Sequence, residues 1–386
     1  MSVSDSPGPL PDERRAQVVE LLRRRGVVRV GDLAAELDVS VITIRRDIAL
    51  LSSQGLIRRV RGGAVLHGGP VADTLASGET EDSPGPQPGS RPGPDAADAE
   101  RAQVTIGMVV PSLNYYWPDV IRGVREAAAA SGARVVLRGA TYRATDERRH
   151  LSRLIESAGM DGLLVAPTTT GDDGQALVRW LQEADMPVVL IERTAASGPY
   201  HEAMESVVSD HALGAGMAVR HLVELGHRRI GLITTAQSPT SPHVRHGWRQ
   251  ACEEFGLPLE GLPDVSTVDQ LDPEWPKALE SVIDQCVESG TTALLVHSDP
   301  EAINLVERCQ ERGIRVPGDL AIVAYDDEVA ELCDPPLTAV RPPKMAIGRA
   351  AFGLLAARLA DPDPERPTHR VVVEPTLIVR SSSMSQ

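Results

Sequence analysis

The chain has 386 residues and a formal net charge of −15, with 42% hydrophobic and only 3% aromatic residues. That length points to two or three domains, the apolar content suffices for a sizeable core, and no apolar run approaches a membrane span, so no membrane partner is expected. The acidic balance argues against nucleic acid until it is divided: residues 12–68 hold eleven arginines against seven acids, and the remainder carries a net −19. Such asymmetry points to a basic reading head on an acidic body that does not itself bind nucleic acid.

Arg14 to Arg25 reads as a first helix, with Val18, Leu21 and Leu22 as its apolar face and Gly26 as its stop. Val28-Arg29-Val30 is a short extended piece, and Gly31 to Asp38 a second short helix. Ser40 then caps a third helix, because its hydroxyl can accept from the free amides of the first turn. Ile44, Ile48 and Leu51 recur at helical spacing as one buried stripe. Val41, Thr43, Arg45 and Arg46 are left to face elsewhere, and a short helix of this kind suits a DNA major groove. Gly55 to Leu66 alternates and turns on Gly62 and Gly63, which predicts a hairpin wing with basic residues placed to meet phosphate. The plainer alternative puts Arg45 and Arg46 on an ordinary solvated helix face; cap, stripe, arginines and wing agree against it.

Residues 12–68 resemble the DeoR-type winged helix-turn-helix. The resemblance is carried by Val28-Arg29-Val30, Leu33-Ala34, Leu37-Asp38-Val39-Ser40, Thr43-Ile44-Arg45-Arg46-Asp47, Leu50, Gly55 and Arg59-Val60-Arg61-Gly62-Gly63-Ala64. The DNA-facing candidates are Ser40, Val41, Thr43, Arg45, Arg46, Arg58, Arg59 and Arg61, and the expected partner is double-stranded operator DNA.

From residue 69 to 103, prolines and glycines alternate among scattered acids and no periodicity survives, so this segment is expected to be a disordered linker. It would span on the order of 30 Å as a flexible coil, comparable to one DNA turn of about 34 Å. The N-terminus is rich in Ser, Pro and Asp without an apolar segment, so no export signal is expected and the location is read as cytoplasmic. Cys252, Cys286, Cys309 and Cys333 show no metal or redox spacing and read as buried free thiols, with no metal and no cofactor expected.

From Val104 onward strands and helices alternate: Val104 to Val110, a helix from Asp119 to Ser131, Arg134 to Leu137, a helix from Asp146 to Ser157, Gly162 to Val165, and, after another helix, Pro187 to Ile191. Continuous Val/Ile/Leu runs separated by amphipathic helices predict an α/β body with parallel sheets covered on both faces. The pattern repeats at Ile230 to Ile233, Ala293 to Val296 and Leu320 to Val323. Two doubly wound lobes are expected to face each other across a cleft, with a ligand outside the carboxyl ends of the strands and a hinge between them.

Residues 104–381 resemble the LacI/GalR-type effector domain, itself similar to periplasmic sugar-binding proteins. The match runs in order through Asp161-Gly162-Leu163-Leu164, Ile191-Glu192-Arg193, Val207 to His211, Gly214-Ala215, His221 to Gly231, Gly247-Trp248, Asp299, Val316 to Asp319, Ala324 to Asp327 and Pro336 to Val340. The chain thus reads as a hybrid: a winged helix-turn-helix head on a two-lobed, periplasmic-binding-protein-like body. The expected lobes are about 104–205 with 341–367, and about 206–340 with 368–381.

Sugars are gripped by aromatic faces and by planar polar groups. Ser112, Asn114, Tyr115, Tyr116 and Trp117 follow the first strand; the three consecutive aromatics either line the site or pack the hinge or a subunit contact. Arg193, beside Glu192, ends a strand and could fork to two hydroxyls or form a surface ion pair. Asp299 matches the family's ligand-binding acid and could equally cap the next helix. Trp248 is a cleft wall or core, His211 and Asp326 are further candidates, and Asp210 more simply caps a helix. The family usually places an arginine three residues before the Gly-aromatic pair; here that position is Val244, with Arg245 turned about 100° away, and His243 or His246 could stand in.

No phosphate loop, zinc-protease motif or nucleophile elbow is present, and Gly214-Ala215-Gly216 reads as close helix packing. No catalytic residue is expected. The resulting expectation is a sequence-specific DNA-binding regulator, a repressor controlled by a small carbohydrate and acting as a homodimer or tetramer. A receptor module or a sugar or sugar-phosphate enzyme without gene control is the alternative.

Overall fold

The computed structural model describes residues 104–384 apart from 141–143, 269–271 and 364, together with parts of 14–66. The chain divides into two units, Met1–Pro94 and Asp95–Gln386.

In the first unit, β1 (Val27–Arg29), β2 (Ile57–Val60) and β3 (Gly63–Leu66) form an antiparallel sheet in the order β1-β3-β2. Val60 pairs with Gly63, the register of the tight hairpin that the two glycines predict. Val18, Leu22, Leu33 and Ala34 bury against Ile44, Ile48 and Leu51, so the predicted apolar stripe closes a small core. Arg58 and Arg59 stand on β2, opposite Val65 and Ala64. The side chains of those two arginines, the candidates Ser40, Val41, Thr43, Arg45, Arg46 and Arg61, and the expected linker 69–103 lie outside the described residues.

The second unit is built of two lobes. The first runs through β4 (Thr105–Val110), α1 (Trp117–Ala130), β5 (Arg134–Gly139), α2 (Ala144–Ala158), β6 (Gly162–Val165), α3 (Gly171–Gln182) and β7 (Val188–Ile191), then a small hairpin of β8 (Ala196–Ser197) and β9 (Glu202–Ala203), and ends with β10 (Ser206–Ser209). The second contains α4 (His211–Glu224), β11 (Ile230–Thr235), α5 (Ser241–Glu254), β12 (Asp264–Thr267), α6 (Trp275–Ser289), β13 (Ala293–Val296), α7 (Asp299–Glu311), β14 (Ala321–Tyr325) and β15 (Thr338–Arg341). The chain then returns to the first lobe for α8 (Lys344–Ala360) and β16 (Arg370–Val373), and crosses back for β17 (Thr376–Ile378).

The sheet orders are β16-β10-β7-β6-β4-β5 and β12-β11-β13-β14-β15-β17, parallel throughout except β15 with β17. The Val/Ile/Leu strands are buried from both sides, as parallel sheets require. Met108 and Leu164 face the cluster under α1 and α8, and Val109 and Leu163 the cluster under α2 and α3. The second lobe repeats this with Leu294 and Ile322 on one face and Leu295 and Val323 on the other. Its four cysteines are buried free thiols, and burial pushes that of Cys252 up to about 12.

One expectation on the lobes is corrected. Ser206–Ser209 and Arg370–Val373 were assigned by sequence to the second lobe, yet β10 pairs with β7 and β16 pairs with β10, so both complete the first sheet. The reason is topological: each crossing leaves from a strand end, so the strand before it stays behind.

Two helix contacts depend on bare backbone. A Cβ on Gly123 of α1 would fall 2.2 Å from the Met345 carbonyl oxygen, and one on Gly348 of α8 would fall 2.1 Å from that of Val120. Gly214 packs closely too, since a Cβ there would sit 2.6 Å from the Tyr325 hydroxyl.

Candidate functional site between the lobes

Three segments cross between the lobes: Ser209 to His211, Arg341 to Lys344, and Val373 to Thr376. The first and third are tied by the Asp210 amide donating to the Val373 carbonyl at 3.0 Å. The parallel strands of both sheets end toward these crossings. In the first sheet β5 and β6 flank β4 on opposite sides, and in the second β12 and β13 flank β11. Strand order reverses there, and such switch points open crevices at carboxyl ends.

Polar side chains collect at those ends. Glu192, directly after β7, accepts from the Tyr116 hydroxyl at 2.5 Å, the Ser209 amide at 2.9 Å and the Ser209 hydroxyl at 2.7 Å. His211, the first residue of α4, places Nε2 3.5 Å from Glu192 Oε2, and its Nδ1 lies 3.2 Å from the Tyr325 hydroxyl. Burial works to raise the Glu192 carboxyl, but the His211 contact and charge, the Ser209 amide and Tyr116 outweigh it and hold the group down at about 2. Burial, then the charge of Glu192, keeps the Tyr116 hydroxyl well above its ordinary range.

Lys344 closes the second crossing. Its ammonium donates to the Asp326 carbonyl at 2.5 Å, lies 2.5 Å from a Glu328 carboxylate oxygen, and sits 5.4 Å from the centre of the Tyr116 ring. This one cation therefore touches the second lobe through Asp326 and Glu328 and the first through Tyr116.

A third group follows β13 and β14. His297 lies 3.9 Å from Asp326 through Nε2, its ring stands 5.6 Å from that of Tyr325, and its Nδ1 is buried without a hydrogen-bond partner. Burial pushes its imidazole below the ordinary range. The Tyr115 hydroxyl, reaching over from the first lobe, is likewise buried without a partner in hydrogen-bonding geometry. Burial, followed by the charges of Asp326 and Asp299, raises that hydroxyl well above its ordinary range. Tyr115, Glu192 and Asp326 all hold left-handed backbone, with φ of 59°, 55° and 97°. Strain of that kind clusters at ligand clamps and switch regions.

The sequence candidates divide under this geometry. Tyr116, Arg193, His211 and Asp326 come together. Arg193 is buried, donates to the Glu192 carbonyl at 2.6 Å, and its charge reaches Glu147 on one side and His243 on the other. Asn114 is exposed in the preceding turn, its amide donating to the Ser112 hydroxyl at 3.0 Å.

Trp117 and Trp248 are corrected to core residues. Trp117 packs with Val120, Val124 and Phe352, and Trp248 lies under β11 with its indole donating to the Ile230 carbonyl at 3.2 Å. Each sits on the apolar stripe of its helix, which faces its own sheet and not the opposite lobe.

Asp299 is neither solvent-facing nor the helix cap. Ser298 is the cap, in a capping box with Glu301. Asp299 instead accepts the amides of Asp327, Glu328 and Val329 at 3.2, 2.6 and 3.0 Å, which staples the segment after β14. Burial, then the charge of Asp326, lifts its carboxyl to about 7. Asp210 caps α4 as expected, accepting from the Leu213 amide at 2.8 Å.

Arg245 does miss the crossings. It binds Asp264 at 2.6 Å, Ser266 at 2.9 Å and Thr234 at 3.0 Å on the β11–β12 edge, while Val244 is in the core. His243, one residue earlier, lies in the field of His211, Arg193 and Glu192.

Sequence reasoning counted Tyr115 only among the three aromatics after the first strand, and it missed His297, Tyr325 and Lys344. The signal for Tyr115 and His297 was position, since each follows a sheet strand at a switch point. Lys344 had no signal beyond being the lone lysine near a crossing. A separate surface groove of about 380 Å³ lies on the first lobe, lined by residues including Gln175, Arg179, Thr194 and His201.

Residues 14–68 match the family of DeoR-like helix-turn-helix domains, and residues 219–383 match periplasmic binding protein-like domains. The HTH-type transcriptional repressor PurR of Vibrio atlanticus is 28% identical over 283 residues, covering 72% of this chain and 80% of its own. A transcriptional regulator CelR, solved in complex with cellobiose, is 28% identical with a TM-score of 0.62, over 72% of this chain and 84% of that one. A LacI family regulator from Enterococcus faecium, solved with bound ribose, shares the fold at a TM-score of 0.58 and 21% identity, over 72% of this chain and 98% of that one.

Proposed function

We infer that this chain, a DeoR-type winged helix-turn-helix head joined to a LacI-type effector body, is a DNA-binding transcription regulator whose operator affinity is set by a small carbohydrate held between the lobes. It acts as a cytoplasmic repressor and as a homodimer, the head meeting DNA through Ser40, Val41, Thr43, Arg45 and Arg46 and bracing on phosphate through Arg58, Arg59 and Arg61. The body has no turnover of its own.

One observation carries the ligand reading. Polar and aromatic side chains, the half-buried Tyr116 and the buried Arg193, His211 and Asp326 among them, gather where the strands of both lobes end and the chain crosses between them. A core that needed only stability would hold apolar residues there, because buried polar networks are weak stabilisers. The lobes touch through Glu192–His211 and Lys344–Asp326, so entry of a ligand requires the hinge to open. The ligand's preference for one hinge state is then the only energy available for control; a coupling of about 1–3 kcal/mol changes operator affinity 5–150-fold. The likeness to a regulator solved with cellobiose supports a carbohydrate as the effector class.

The test is calorimetric titration of the full chain with monosaccharides and disaccharides, beside an assay for their turnover. Binding without turnover supports a regulator; turnover supports an enzyme.

A further inference from the structure

The inference concerns the charge of the ligand and rests on the carbohydrate reading above. The Tyr115 hydroxyl and His297 Nδ1 are both buried without a partner in good hydrogen-bonding geometry, and the Ser298 side chain is the group within reach of the tyrosine. Unpaired buried polar atoms are rare and ask for an explanation. Ligand hydroxyls suit both, because each donates and accepts at once.

The fixed charges around these two atoms are unequal. Lys344 is neutralised by Glu328. Arg341 and Arg380 are taken by Asp327, and Arg193 leans on the Glu192 carbonyl, with the Glu147 carboxylate within reach of its charge. Against it stand the carboxylates of Glu301 and Asp326, both of which act on Tyr115 and on His297, while Glu192 is matched by His211 and Asp299 is held by three backbone amides. The histidines facing the site do not reverse this balance. His211 is taken up by Glu192, and burial holds His243 and His297 toward the neutral form. Burial first, and then the charge of Asp326, raises the Asp299 carboxyl.

We propose that the interlobe site accepts a polyhydroxylated ligand that is uncharged or bears an amine, and rejects the phosphorylated or carboxylated form of the same molecule. An added anion would be buried beside Asp326 and Glu301 with no free cation to meet it, and like charges at such range repel strongly in a partly dry site. An ammonium would instead be drawn toward the same carboxylates.

The experiment is thermal melting of the full chain with matched probes: ribose and ribose 5-phosphate; glucose, glucosamine, glucose 6-phosphate and glucuronate; cellobiose and cellobionate. Within the series that binds, the neutral or amino member is expected to raise the melting temperature, and its anionic counterpart to bind at least about tenfold more weakly. Asp326→Asn, which keeps the shape and tolerates the left-handed backbone, is expected to narrow that gap. An anionic member that binds as well as its neutral partner, or a gap unchanged in Asp326→Asn, overturns the inference and leaves the carbohydrate reading standing. No shift from any probe overturns the carbohydrate reading, and the inference with it.

Discussion

Glu192 Oε2 stands 3.5 Å from His211 Nε2 across the first crossing, and both side chains are less than a tenth exposed. The two belong to different lobes yet share one hydrogen-bonded cluster with Tyr116 and Ser209. Opening the hinge must pull this pair apart, so its strength belongs to the energy that a ligand biases.

Glu192→Gln keeps the shape and removes the charge. It should lower stability at neutral pH by about 1–3 kcal/mol, the scale for disturbing a buried charged hydrogen bond. The folded-state acidity of Glu192 lies near 2, below its ordinary value of 4.5. Its contribution is therefore fully present above pH 4.5 and is lost as pH falls toward 2. Melting curves of both proteins should converge over that window; a constant gap would mean that the carboxylate charge is not what matters.

Asp299 has the opposite sign. Its folded acidity of about 7 lies above the ordinary 3.8, so the folded chain binds the proton more tightly than the unfolded chain between those values. Stability drawn from this group falls as pH rises through that window. Asp299→Asn removes the titration, so its stability deficit against the wild type should shrink from pH 4 to pH 7. Urea unfolding at both pH values reads this directly, and a deficit that grows with pH would contradict the assignment.

Trp248→Phe tests core against site. The loss of buried volume and of the indole bond to Ile230 should destabilise the second lobe by about 1–3 kcal/mol, short of the roughly 3–5 kcal/mol of a full truncation to alanine. Carbohydrate affinity of the folded variant should stay within about twofold, since a distant packing change leaves the site intact. A large loss of affinity with unchanged stability would return Trp248 to the site.

Much of the body was legible because its signals are local. Ile106 to Val110, Gly162 to Val165 and Ala293 to Val296 are apolar runs that only a two-sided parallel sheet can bury, and the glycines ending the helices fixed the spacing. The head's stripe of Ile44, Ile48 and Leu51 was visible for the same reason. The site was only half legible. Residue type pointed to Tyr116, Arg193, His211 and Asp326, but it could not tell a tryptophan facing a sheet from one facing a ligand, and Trp117 and Trp248 face their sheets. Asp299 was found by position but is not the helix cap, and its hold on three amides from residues 327 to 329 was invisible because that contact exists only in the folded chain. Lys344 escaped because a crossing between lobes is a property of topology and leaves no pattern in the nearby sequence.

Arg45→Ala should weaken binding to the preferred duplex by about 1–3 kcal/mol and relax base preference at one position. Fluorescence anisotropy against the preferred and a scrambled duplex separates the outcomes. An equal loss on both would reduce Arg45 to a phosphate contact.

The most direct measurement joins the two ends of the chain. Duplexes selected by the full protein from a random pool would be titrated by anisotropy, at fixed salt, with and without the carbohydrate that most raises its melting temperature. Selection should yield one shared motif, and saturating carbohydrate should change affinity for it 5–150-fold, a coupling of about 1–3 kcal/mol. A pool that yields no motif, or a duplex held with equal affinity at every carbohydrate concentration, would contradict a regulator that senses sugar between its lobes.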